Sequence, residues 1–379
     1  MNAIKLTRTT ALALVLLSGT ALAQSAPQTD AQKTNSQETV KDKVQNAVRS
    51  VTGNPLAEVD TDMKHVLDAM AAMKPKPLPD LGATEARQQP TAADGANQVL
   101  REQGKSTLPD PAVMRKNILV DGGKEKIVAT VFKPANASGP LPVIVYYHGG
   151  GFVIANNSTY AASAELLAKE VGAVVVSVEY SKAPEHKFPA AHDDAVAAYK
   201  WVTQNAASIG GDPQKIAVAG ESAGGNLAVN VAIAARDQNL TKPLHELIVY
   251  PMAGTNLDTD SYKMADSSNV KPLNKPMMGW FYKNLVNSDA DMQDPRLDIV
   301  GKADLHGLAP ATVIADQIDP LQSEDLALAD KLKQAGVQVN LQNYDGVTHE
   351  FFGMGKVVAK AKQAEDVAVK DMKDAFAAK

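Results

Sequence analysis

From residue 117 onward, short runs of β-branched and aromatic residues alternate with stretches of helical periodicity. The apolar runs at 127–132, 143–147, 174–178, 216–219, 247–250, 312–315 and 337–344 are bounded by Gly, Pro or polar clusters, as strands are. Helical patterns fill the intervals at 166–171, 195–205, 223–236 and 323–335, and a closing helix is predicted over 356–378. That alternation leaves few architectures. It predicts an α/β fold with a mostly parallel sheet and helices on both faces. Some 60 residues separate the strand ending at Tyr250 from the next at Thr312, more than a crossover needs. Part of this insert, 274–286 above all, reads as a helical excursion above the sheet.

Residues 1–23 stand outside this pattern. Lys5 and Arg8 precede the apolar run 11–17, which is too short to span a bilayer, and Ala21-Leu22-Ala23 fits a small-x-small cleavage site. The expectation is a secretory signal, a mature start at Gln24, and a periplasmic or secreted protein. Residues 24–55 are polar and read as a linker. From Asp60, Met63, Val66, Leu67, Met70 and Met73 follow helical spacing up to Lys74-Pro75. A second helix is predicted over 92–103. This Met stripe suits either a helix packed on a core or part of a lid. The expected division is 56–115 as N-terminal cap helices and 116–379 as the catalytic domain, with a cap insertion at about 254–300.

Composition removes several chemistries. With no cysteine there is no disulfide, thiolate metal site or Cys nucleophile. The formal charge of −5 argues against a nucleic-acid partner. Loss of the leader would remove two of the 38 basic side chains, leaving 43 acidic ones and a net charge of −7.

Gly220-Glu221-Ser222-Ala223-Gly224 matches the G-x-S-x-G nucleophile elbow, with a strand before it and a helix after it. A serine on so tight a turn is exposed at a helix N-terminus, where developing negative charge is favoured. His148-Gly149-Gly150-Gly151 follows another strand and leaves backbone N–H groups unobstructed. Two of these, with the N–H of Ala223, would hold an oxyanion. The acid and base must then follow in the order Ser, Asp or Glu, His. Of seven histidines, His349 is preferred, because it follows the last strand, where a loop reaches back over the sheet. Asp319 is preferred to Asp316 as the acid because Pro320 pins its turn, although either could cap the next helix.

Together these segments resemble the hormone-sensitive-lipase-like branch of the α/β-hydrolases, the bacterial family IV esterases. The resemblance is carried by HGGGF (148–152), YSKAPEHKFPAAHDD (180–194), GGDPQKIAVAGESAGGNLA (210–228), DPR (294–296), IDPLQSE (318–324) and GVTHEFF (346–352), in the family's order. It implies an α/β-hydrolase fold with a helical cap and a triad of Ser222, Asp319 and His349. It also implies oxyanion donors at Gly150, Gly151 and Ala223, and short- to medium-chain esters as substrates. No metal or organic cofactor is implied. Phe152 beside the glycine run, and Met277, Met278 and Phe281 in the insert, are expected to touch substrate. Met277, Met278, Trp280, Phe281 and Tyr282 would alternatively anchor the cap helix. Expected partners are a small-molecule ester and, as an open assembly, a second copy in a homodimer. No membrane span is expected once the leader is gone.

Three departures from the family pattern stand out. Glu221 precedes the nucleophile where the larger branch has Asp. Ser181 replaces an arginine, so an ion pair is expected to be lost or rebuilt through Lys182. An exported N-terminus is unusual in a mostly cytoplasmic group. A serine peptidase or amidase shares the same triad, and a ligand receptor on this fold would lack the base.

Overall fold

The computed structural model describes residues 59–267 and 272–378; the expected leader and the whole of the expected linker lie outside them. Two long helices open the described chain, α1 (Thr61–Ala72) and α2 (Ala92–Glu102), with short helical turns at Leu78–Asp80 and Ala83–Ala86 between them. Thr91 caps α2: its hydroxyl accepts from the Asp94 N–H, and Asp94 reaches back to the Thr91 N–H at 2.8 Å. Such reciprocal caps are worth about 1 kcal/mol.

Eight strands follow: β1 (Val113–Asp121), β2 (Lys126–Pro134), β3 (Leu141–Tyr147), β4 (Val174–Val178), β5 (Gly211–Glu221), β6 (Glu246–Val249), β7 (Ala311–Ile318) and β8 (Val339–Thr348). They form one sheet in the order β1-β2-β4-β3-β5-β6-β7-β8. β2 runs antiparallel to both its neighbours, and every other pairing is parallel. The crossovers carry α3 (Ala161–Leu166), α4 (Ala190–Asn205), α5 (Ala223–Asp237), α6 (Lys275–Leu285) and α7 (Gln322–Gln334), and α8 (Ala359–Ala377) closes the chain.

Both faces of the central strands are covered, which is why they read as unbroken apolar runs instead of alternating ones. Val143, Val145, Tyr147, Val174, Val176 and Val218 face α4 and α5. Their neighbours Ile144, Tyr146, Val175, Ala217 and Ala219 face α8, α3 and α1. The Met stripe divides accordingly. Met63, Val66 and Leu67 are core residues in this second layer, whereas Met70 is part-buried and lines the cavity described below.

β1 escaped the pattern reading because its apolar residues are split by Arg115-Lys116-Asn117. Of its nine residues only Val113 and Val120 are buried, and its one apolar run is the short Ile118-Leu119-Val120. The boundary drawn at residue 115 falls inside it. The insert contains a short helix, Asp260–Ser267, and α6, whose first turn is capped by the Asn274 side chain accepting from Met277 N–H at 3.0 Å. Trp280 donates from Nε1 to the Leu81 carbonyl at 3.0 Å and Tyr282 to the Gly254 carbonyl at 2.7 Å. These two aromatics therefore anchor α6 to the N-terminal segment and to the loop after β6.

Candidate active site

A single residue, Ser222, joins β5 to α5, with φ 57° and ψ −119°. Such a conformation costs an L-residue about 1–3 kcal/mol and persists only where its surroundings enforce it. Here the Ser222 N–H donates to the Val249 carbonyl at 2.9 Å, and its own carbonyl accepts from Met252 and Asn226 N–H, both at 3.1 Å. The turn is also closed backbone to backbone. A Cβ at Gly220 would meet the Gly224 carbonyl oxygen at 2.0 Å, and one at Gly224 would meet that of Tyr147 at 2.0 Å. Only glycine fits at either position.

α5 is held from beneath by a buried polar network. Asn226 Nδ2 donates to the Met252 and Arg296 carbonyls at 2.8 and 2.9 Å, which leaves Oδ1 to accept from His192 Nε2 at 2.9 Å. Burial pushes His192 down to about 4, so the ring is neutral with its proton on Nε2. Arg296 forks onto Asp294 at 3.0 and 2.8 Å and lies over the Phe188 ring. The motif segments at 180–194, 220–228 and 294–296 thus meet as one support for the nucleophile turn.

His349 follows β8, and its Nε2 lies 3.0 Å from Ser222 Oγ. Its Nδ1 lies 2.5 Å from Asp319 Oδ2, while Asp319 Oδ1 accepts the Leu321 N–H at 2.9 Å. All three side chains are buried. Burial alone would lower the His349 pKa, but the charge and hydrogen bond of Asp319 outweigh it and hold the ring above its ordinary value. With Asp319 ionised, Nδ1 carries the proton and Nε2 offers its lone pair to the Ser222 hydroxyl.

Asp316 is buried beside this pair, with no donor to either of its oxygens among the described residues, and an oxygen of each acid and a nitrogen of His349 all lie within 4.8 Å of one another. Burial first, and then the Asp319 charge, raise Asp316 well above its ordinary carboxylate value. Asp319, which has donors on both oxygens, is the acid the geometry joins to His349. Among the described residues these three are also the one set of acidic and imidazole groups close enough to share a cation. Both His349 nitrogens are already engaged.

The glycine loop after β3 lies on the other side of Ser222. Gly150 and Gly151 have φ of 104° and 58°, and a Cβ on Gly151 would meet the Phe281 ring at 2.3 Å. The N–H groups of Gly150, Gly151 and Ala223 take no backbone acceptor among the described residues. His148 does not enter the cavity: it is fully buried, stacked on Tyr180 at 4.3 Å, and burial lowers it to about 4. Ser222, His349, Gly150, Gly151, Met277, Met278 and Phe281 line a cavity of about 510 Å³. Phe152 does not line it. With φ 63° its ring turns into the core against His192, 5.4 Å away.

Two departures are resolved by the packing. Glu221 points away from the cavity and accepts the Tyr146 and Tyr250 hydroxyls at 2.5 and 2.6 Å, and burial pushes its carboxyl up to about 7. The Tyr250 ring lies 4.7 Å from that of His349, so Glu221 braces the base indirectly. The segment that lacks the family's arginine carries two ion pairs, one of them through Lys182. Lys182 bonds Glu179, whereas Arg87 forks onto Glu185 at 2.8 and 2.6 Å and reaches the Val153 and Ala183 carbonyls. Arg87 belongs to a stretch with no motif, so only the folded chain reveals it.

A strand-elbow-helix nucleophile with an acid and a histidine on the following strand ends defines a hydrolase of the α/β class. The sequence profile of the alpha/beta hydrolase fold family matches residues 144–353. A carboxylesterase of Mycobacterium tuberculosis, NlhH, is 36% identical over 283 residues, covering 72% of this chain and 88% of that protein. An ethyl acetate hydrolase of Pseudomonas putida is 34% identical, covering 58% and 69%. The solved structure of a hyperthermophilic esterase from the archaeon Pyrobaculum calidifontis superposes with a TM-score of 0.76 at 34% identity, covering 84% of this chain and 98% of that one. The chain belongs to the alpha/beta hydrolase fold family, in its hormone-sensitive-lipase-like esterase branch.

Proposed function

We propose that this chain is a serine carboxylesterase for short- to medium-chain esters. The observation that carries the reading is the unbroken line from Asp319 through His349 to Ser222 Oγ. His349 Nε2 takes the Ser222 proton as Oγ bonds to the ester carbonyl carbon, and Asp319 stabilises the imidazolium that forms. The carbonyl oxygen, now negative, rests on the N–H groups of Gly150, Gly151 and Ala223. One such donor is worth about 3 kcal/mol. The C–O bond to the alcohol breaks as His349 returns the proton to the departing oxygen. Water then repeats the sequence on the acyl-enzyme and frees the acid. The names of the relatives support the ester as substrate.

The proposed chain-length preference is supported by a cavity of bounded size. Each methylene buried adds about 0.8 kcal/mol until the space is filled, and about 510 Å³ is closed on one side by α6. Turnover of p-nitrophenyl esters should peak between acetate and hexanoate and fall by about tenfold or more by palmitate. A rate that climbs steadily to palmitate would contradict the proposed preference.

Export is proposed on the leader-like residues 1–23, and no described helix is long and apolar enough to cross a membrane. Expressed with its leader, the protein should be recovered outside the cytoplasm with Gln24 at its N-terminus. Recovery of the intact chain from the cytoplasm alone would refute export.

A further inference from the structure

Glu350 follows the base directly and holds a left-handed backbone, φ 68°, which a residue with a side chain adopts only at a cost. Its half-buried side chain lines two cavities at once: the catalytic one and a second of about 390 Å³. Thr159 also lines both. One carboxylate oxygen accepts the Tyr160 hydroxyl at 3.0 Å, and no lysine or arginine among the described residues forms an ion pair with it. The cations that line the catalytic cavity are already neutralised, Lys76 by Glu85 and Arg87 by Glu185, each at 2.6 Å. Among the described residues, Glu350 is therefore the one Lys, Arg, Asp or Glu side chain lining the catalytic cavity that has no ion-pair partner.

The half of the ester that meets it follows from the proton path. The departing alkoxide takes its proton from His349 Nε2, while the carbonyl oxygen points to the glycine loop. The alcohol half thus lies on the imidazole side, where Glu350 is the next residue and the second cavity opens behind it. We propose that Glu350 selects esters whose alcohol half carries an ammonium group, the positive head settling against its carboxylate between the two cavities. This rests on the serine-esterase reading above.

The test compares acetylcholine with 3,3-dimethylbutyl acetate, which has the same shape but a neutral carbon in place of the ammonium nitrogen. A carboxylate that is only half-buried gives a modest attraction, so kcat/KM should favour acetylcholine by about five- to tenfold at low salt. Raising the ionic strength should shrink the ratio. E350Q keeps an acceptor for Tyr160 and removes only the charge; E350G also removes the backbone strain. In both, the ratio should fall to about one. The ratio is the deciding quantity because the Glu350 charge also acts on the His349 imidazolium, an effect common to the two esters.

A wild-type ratio near one with brisk turnover of the neutral ester would overturn the selection and leave the esterase reading intact. A high ratio retained in E350Q would place the selectivity elsewhere and overturn the role of Glu350. No turnover of either ester would overturn the selection, and the esterase reading falls with it only if p-nitrophenyl acetate is not turned over either.

Discussion

Ser222→Ala is expected to lower turnover of p-nitrophenyl butyrate by about 10⁵- to 10⁶-fold, to a residue supplied by the oxyanion donors and binding alone. The reason is positional. His349 Nε2 faces only Ser222 Oγ, so without the hydroxyl it has no proton to take and no covalent intermediate forms. The fold should survive. Alanine bears the same left-handed strain as serine, the turn is held by main-chain bonds to Val249, Met252 and Asn226, and one side-chain hydrogen bond is worth only about 1 kcal/mol. Circular dichroism and thermal unfolding should match the wild type within a few degrees. Substantial turnover in a folded Ser222→Ala protein would remove Ser222 from the chemistry.

Asp319→Asn is the second large effect, and its pH dependence separates orientation from packing. An asparagine NH₂ facing Nδ1 forces that nitrogen to accept, which moves the imidazole proton to Nε2, the atom that must be the base. A loss of about 10⁴ in kcat is expected. The sign of the pH shift follows from the charge. The base works unprotonated, so wild-type activity falls as pH drops through the His349 pKa, which Asp319 holds above its ordinary 6.5. Removing the charge should move the acid limb of the residual activity to lower pH. An unshifted acid limb would mean that Asp319 does not set the charge state of His349.

Much of this site was legible in the sequence because its geometry is local. A tight strand-to-helix turn needs Gly220 and Gly224 beside Ser222, and a donor loop needs consecutive glycines, so the motifs carry their own physical reason. The order of strands and helices was legible for a related reason: strands buried on both faces read as continuous apolar runs. Edge strand β1, largely solvent-facing, gave no such signal. Long-range partners left no trace either. Arg87 meets Glu185 across 98 positions, and nothing in its own segment marks it as that residue's partner. Phe152 shows the converse failure. Its place beside HGGG suggested contact with substrate, but its positive φ turns the ring into the core. Met277, Met278 and Phe281 reach the cavity, while Trp280 and Tyr282 serve as anchors. That division depends on the rotation of α6, which the sequence pattern does not fix.

The most direct test of the proposed mechanism is intact-protein mass spectrometry after treatment with diethyl p-nitrophenyl phosphate, followed by peptide mapping. One diethylphosphoryl group per chain on Ser222, formed in step with one equivalent of p-nitrophenol and with loss of esterase activity, is the result expected of a serine nucleophile activated by His349. A fully active protein bearing the adduct on Ser222, or inactivation with the adduct on another residue, would contradict it.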